Sequence, residues 1–219
     1  MNNLKELDLR NCSMSHLEYN IFDNLLNLEK LFLSHNFLSV IPSRLLAPMN
    51  FLNHLDLSYN SIIMKPTSYG VHDPFSEFLS GLIIEEDVFL SLPHLIFLDL
   101  SHSKLKKESV LAFSKFREKL EQLSLCYTDI PLIFPFMFNG TSIKVLDLSG
   151  NTNLNTGLSS SWFGGLENRL EILIFKSSYI KNILPLKNLK KLRMLDLGEL
   201  LNIFESSKIE DWSKKSSRK

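Results

Sequence analysis

The sequence predicts a curved, right-handed α/β solenoid with a parallel sheet on its concave face and loops or short helices on its convex face. Two observations predict it. One eleven-residue frame, L-x-x-L-x-L-x-x-N-x-L, recurs eight times along the 219 residues. Within it the apolar positions alternate as they do in a strand with one buried face. A single strand of this kind cannot hide its leucines, whereas stacked copies share one continuous core.

The copies come in order. LKELDLRNCSM starts at Leu4, LEKLFLSHNFL at Leu28 and LNHLDLSYNSI at Leu52. LIFLDLSHSKL follows from Leu95, LEQLSLCYTDI from Leu120 and IKVLDLSGNTN from Ile143. LEILIFKSSYI from Leu170 and LRMLDLGELLN from Leu192 fit more loosely. The inward pairs are expected to be Leu7/Leu9, Leu31/Leu33, Leu55/Leu57, Leu98/Leu100, Leu123/Leu125, Leu146/Leu148, Leu173/Phe175 and Leu195/Leu197. At the ninth position Asn36, Asn60 and Asn151 suit a turn out of the sheet, where a short amide bonds backbone groups. Cys12, Ser103, Thr128 and Ser178 stand in elsewhere and predict less regular turns.

Between strands a second apolar set appears: Leu17, Phe22 and Leu25, then Ile41, Leu46 and Met49, then Ile84, Phe89 and Leu92. Lys106 to Leu120, with Val110, Phe113 and Phe116, reads as an amphipathic convex helix. Trp162-Phe163-Gly164-Gly165 reads as a convex phenylalanine followed by its turn. These features resemble the typical 24-residue leucine-rich repeat over roughly residues 4–204. The likeness is to the ectodomains of Toll-like receptors, chaoptin-like adhesion proteins and small leucine-rich proteoglycans. It implies a non-enzymatic segment that binds a protein partner or extracellular ligand, at the cell surface or outside the cell. Relatives of this kind carry cysteine-rich caps, which are missing here. The expectation is therefore an internal piece of a longer receptor or adhesion protein, with residues 205–219 a polar, basic, disordered tail.

Composition narrows the alternatives. Twenty-four basic residues balance twenty-four acidic ones, which removes the footprint of a general nucleic-acid or anionic-membrane binder. At 44% hydrophobic residues and a mean hydropathy of +0.02 the chain is too apolar for disorder. No apolar run approaches the roughly 18 residues of a membrane span, and MNNLKELDLRNC lacks the pattern of a signal peptide. No G-x-S-x-G, P-loop, dinucleotide turn or H-E-x-x-H is present, so neither a catalytic site nor a cofactor is expected.

Four groups of residues are candidates for function. The outward strand positions are polar early (Lys5, Glu6, Asp8, Glu29, Lys30, His54, Asp56) and turn apolar later. Phe97, Val145, Ile172, Ile174 and Met194 are expected there as an exposed apolar patch, interrupted by Gln122. One column further, His35, Tyr59, His102 and Tyr127 form either a polar-aromatic stripe with pH-sensitive histidines or ordinary surface. They lack the spacing of a zinc site. The interval between the third and fourth copies is 43 residues and contains an insertion, Ile63 to Gly81. There Asp73-Pro74 starts a short helix whose Phe75, Phe78, Leu79 and Leu82 either pack back on the solenoid or meet a partner. Finally, Asn11-Cys12-Ser13 and Asn139-Gly140-Thr141 are glycosylation sequons, Asn139 being the better placed in a connecting loop.

Compartment stays open at this point. Cys12 and Cys126, four strand spacings or roughly 19 Å apart, are too distant for a disulfide. Free thiols favour an intracellular scaffold or adaptor, the alternative reading, while the sequons and the resemblance favour the extracellular one.

Overall fold

The structure, a computed structural model, describes residues 3–60, 81–154, 159–177 and 184–198. The leading half of each frame becomes a three-residue strand: β1 (Glu6–Asp8), β2 (Lys30–Phe32), β4 (His54–Asp56), β6 (Phe97–Asp99), β7 (Gln122–Ser124), β8 (Val145–Asp147), β9 (Ile172–Ile174) and β10 (Met194–Asp196). All eight pair in parallel, in chain order, as one sheet. Register follows the frame, with Leu7, Leu31, Leu55, Leu98, Leu123, Leu146, Leu173 and Leu195 side by side. The 43-residue interval leaves no gap, since His54 of β4 pairs directly with Phe97 of β6. A second, two-stranded sheet joins β3 (Val40–Ile41) to β5 (Ile83–Ile84) beyond the strand exits. The helix expected to start at Asp73 falls within residues 61–80, outside the described residues, as do Ser178 and the tail 205–219.

Burial grades with position along the stack. The inward pairs from Leu31/Leu33 to Leu173/Phe175 are at most 2% exposed. Leu7, Leu9, Leu195 and Leu197 are only half-buried, because among the described residues each has a neighbouring repeat on one side alone. Behind the sheet Phe22, Phe89, Phe113, Phe138 and Phe163 are buried as the convex phenylalanines. Phe89 packs against Phe113 and Phe116, with ring centroids 6.2 and 4.7 Å apart.

The convex side differs from the expected amphipathic helix in type and extent. Among the described residues its longest helix is a nine-residue 3-10 helix, Lys107–Lys115. Val110 and Phe113 are buried there, and Phe116 is buried just past its end. Their spacing of three explains the difference. At 3.0 residues per turn the three side chains line up on one narrow face, whereas 3.6 per turn would rotate them apart. Trp162 and Phe163 end another short 3-10 helix, Ser160–Phe163, and the turn expected at Gly164-Gly165 follows.

The asparagines do what their spacing predicts. Asn60 is fully buried; its amide donates to the carbonyls of Leu33, Leu57 and Ser58, and its Oδ1 accepts from Leu38 N at 3.1 Å. Ser103 replaces the amide with one hydroxyl, which donates to Leu57 O and accepts from Asn60 N. Thr128 donates to Leu125 O and to Asn151 Oδ1.

Candidate ligand-binding face

Because the register is strict, outward side chains stand in rows that run across the strands. The row through the first residue of each strand reads Glu6, Lys30, His54, Phe97, Gln122, Val145, Ile172 and Met194. Here the expectation of an exposed patch needs correction. Phe97, Val145, Ile172 and Ile174 are half-buried, and only Met194 is exposed, at 46%. Strands about 4.8 Å apart let these side chains cover one another's flanks. Ile174 stands in the next row, beside Asp147.

Phe32 adds a feature that the sequence reading missed. It sits among aspartates in its own row, which hid it. In the structure Arg10 lies 5.2 Å over its ring, and the ring tilts against His54 at 5.1 Å. His54 in turn stacks on Phe97 at 4.1 Å and 5°. Burial between these rings pushes the His54 pKa below its ordinary value, against the raising effect of Asp56.

The polar-aromatic stripe is continuous. His35 stacks on Tyr59 at 4.3 Å, Tyr59 on His102 at 4.4 Å, and His102 on Tyr127 at 4.9 Å, all within 17° of parallel. The backbone is the cause. Each residue of this column leaves the sheet in the left-handed region, with φ of 57°, 53°, 55° and 52°, and Asn11, Gly150 and Ser177 repeat it in their own copies. One shared backbone geometry aims all four rings the same way, and the strand spacing sets their separation. Beyond Tyr127 the column continues at Gly150, where a Cβ would lie 2.3 Å from the tyrosine ring. Tyr127 therefore rests on bare backbone and stays 49% exposed.

Between these two rows stand the aspartates. Asp56, Asp99 and Asp147 each use Oδ1 to accept the N–H two residues on, from Ser58, Ser101 and Ser149, at 2.8–3.0 Å. The carboxylates at the ends of the row are ion-paired. Arg10 holds Asp8 at 2.6 Å and lowers its pKa to about 2; Lys176 holds Asp196 at 2.9 Å and lowers it too. Asp56, Asp99 and Asp147 make no ion pair within 4.0 Å among the described residues. At the strand entries charges alternate and cancel: Lys5–Glu29 at 2.6 Å, Lys144–Glu121 at 2.8 Å and Arg193–Glu171 at 2.9 Å, with Lys30–Glu6 beside them at 3.2 Å.

The remaining candidates are scattered. Cys12 is an exposed thiol and Cys126 a half-buried one. Burial first, then the fields of Asp147 and Asp99, push Cys126 up to about 12. Asn139 is exposed in a turn, and Asn11 is exposed at the strand exit. The hydroxyl of Thr141, in the Asn139 sequon, is buried on Phe138 O at 2.7 Å. Phe75, Phe78 and Leu79 lie outside the described residues. Among the described residues no helix is long and apolar enough to cross a membrane.

Comparison with known proteins agrees with this geometry. Family models described as Leucine rich repeat match residues 2–62 and 142–166. Human lumican is 27% identical over 164 residues, 73% of this chain and 47% of its own length. Rat lumican is 30% identical over 69% of this chain and 45% of its own length. Toll-like receptor 4 of Felis catus is 31% identical over 46% of this chain and 10% of its own. The chain thus spans about half the length of the lumicans it matches. A solved TLR13–ssRNA13 complex superposes with a TM-score of 0.69 at 29% identity, covering 88% of this chain and 24% of that one. The chain belongs to the leucine-rich-repeat superfamily and resembles Toll-like receptor ectodomains.

Proposed function

We propose that this chain is a non-enzymatic, protein- or ligand-binding segment of a receptor- or adhesion-type ectodomain, acting through its concave face and the aromatic edge beside it. The observation that carries this reading is the row of four stacked rings, His35 to Tyr127, standing next to the aspartates and the half-buried row of Phe97, Val145 and Ile172. Pre-stacked rings lose little side-chain freedom on binding, and aromatic anchors often dominate recognition. Similarity to lumican and Toll-like receptor 4 supports the extracellular or cell-surface setting. Residues 1–204 act as one solenoid in this reading, with 63–81 as a second contact region. The TLR13 relative is solved with ssRNA13. For this chain we favour a protein, because the candidate face carries unneutralised carboxylates that repel phosphate.

A photo-crosslinking amino acid placed at Tyr59, and separately at the convex Leu111, tests the face. Presented with a cell-surface protein extract, Tyr59 should yield discrete adducts and Leu111 none. Adducts from Leu111 alone would place recognition on the other side. The intracellular-scaffold reading is favoured by one observation, the two free thiols. Glycan occupancy at Asn139 in the native product would exclude it.

A further inference from the structure

Resting on the binding reading above, we infer that the partner presents a basic, extended segment, whose arginine or lysine side chains lie between the Asp56–Asp99–Asp147 row and the Tyr59–His102–Tyr127 stack. Four observations lead there. The three carboxylates are half-buried in the middle of the sheet and lack ion pairs among the described residues, while both ends of the same row are neutralised. Each gives one oxygen to its own turn, and no hydrogen bond engages Oδ2 among the described residues. The neighbours in the adjoining rows of these repeats are uncharged or weakly basic: His54, Phe97 and Val145 on one side, Ser58, Ser101 and Ser149 on the other. Three residues beyond Asp56 and Asp99 stand Tyr59 and His102, and Tyr127 lies over the Gly150 backbone three residues beyond Asp147. The rings cover one another's faces, so a guanidinium between carboxylate and stack gains a charge-assisted hydrogen bond from the carboxylate and lies along ring edges whose tyrosine hydroxyls can accept a second.

Spacing sets the shape of the partner. Asp56 to Asp147 is three strand intervals, about 14 Å, which four residues of extended chain also cover at about 3.3 Å each. Basic side chains four positions apart on a strand crossing the sheet match Asp56 and Asp147, with Asp99 one interval from Asp56 and Ser124 filling the place between Asp99 and Asp147. The protein's net charge of zero matters here, since it gives a cationic segment no general attraction. The preference has to arise locally.

The test uses a fluorescein-labelled nonapeptide of alternating arginine and serine, read by anisotropy against the whole chain. Asp56→Asn, Asp99→Asn and Asp147→Asn keep the Oδ1 acceptor that holds each turn, so the fold should survive their combination. The triple variant should weaken binding by about tenfold or more, and Tyr59→Leu with Tyr127→Leu should also weaken it several-fold. If the triple variant fails to fold, Asp99→Asn alone should still weaken binding by about threefold. Asp23→Asn with Asp87→Asn, on exposed carboxylates away from the face, should change nothing. Equal affinity for the triple variant, equal affinity for a glutamate–serine peptide, equal losses from Asp23 and Asp87, or tighter binding of a single-stranded RNA oligonucleotide would each overturn the inference. Persistent Tyr59 crosslinks to a protein alongside an unaffected triple variant would leave the binding face standing and remove only the basic partner. Absence of both would remove the two together.

Discussion

Asn60→Ala and Asn36→Ala delete the same side chain in adjacent repeats, yet they should cost different amounts. Replacing Asn60 removes three donated bonds and one accepted bond. The three carbonyls do not become orphans. Leu33 O keeps Asn36 Nδ2, Leu57 O keeps Ser103 Oγ, and Ser58 O keeps His35 N. What loses its acceptor is Leu38 N–H, in a residue that is fully buried. One buried orphan donor costs about 1–3 kcal/mol, and the vacated amide space adds more, so the total should be about 2–4 kcal/mol. In Asn36 the accepted bonds come from Cys12 N and Met14 N, both at 3.0 Å. Cys12 is exposed and Met14 half-buried, so water can replace the lost acceptor there. Asn36→Ala should therefore cost less than half as much. Urea denaturation of both variants, with hydrogen exchange at the Leu38 amide, measures the difference. Equal losses, or faster exchange at Leu38 in Asn36→Ala than in Asn60→Ala, would refute the assignment of the cost to that one donor.

Three more outcomes follow from the packing and electrostatics. Leu57→Ala and Leu148→Ala remove fully buried side chains and should each cost about 2–5 kcal/mol in chemical denaturation; no loss in either would mean the inward row is misassigned. The folded His54 pKa lies below the model-peptide value of 6.5, so the unfolded chain binds the proton first and stability rises with pH in that range. This contribution is complete above 6.5 and lost as pH falls through the folded value; NMR titration should give a midpoint under 6.5 that moves up in Phe97→Ala. With its thiol pushed up to about 12, native Cys126 should resist iodoacetamide at pH 8 while the exposed Cys12 alkylates; preferential labelling at Cys126 would contradict that burial.

The strands and their register were legible in the sequence because one frame dictates both alternation and stacking. So was the stripe of His35, Tyr59, His102 and Tyr127, since residues sharing a frame position must share a column. Helix type on the convex side was not legible from a search for helical periodicity. A single spacing of three, as in Val110 and Phe113, satisfies α and 3-10 geometry alike; only the second step, to Phe116, sets the two apart. The apolar row was read as too exposed, because fractional exposure depends on lateral neighbours such as His54 beside Phe97. The cancelling charges at Lys5–Glu29 and Glu121–Lys144 emerge only when the repeats are read across rather than along. Phe32 is a similar case: in a row made mostly of aspartates, it gains meaning only from the rings and the guanidinium around it.

The left-handed backbone at the column of the stripe also restricts which residues can be tried there. Asn, His, Tyr, Gly and Ser occupy it in the described repeats, every one with positive φ. Asparagine and histidine enter that conformation more readily than most residues, glycine does so freely, and β-branched side chains are strongly disfavoured. A randomised library at positions 35, 59, 102, 127 and 150 should consequently lose its valine, isoleucine and threonine members to misfolding before any ligand is offered. The chemistry available along this edge is a reduced alphabet of aromatic, amide, hydroxyl and bare-backbone surfaces, imposed by the handedness of the chain and independent of what binds.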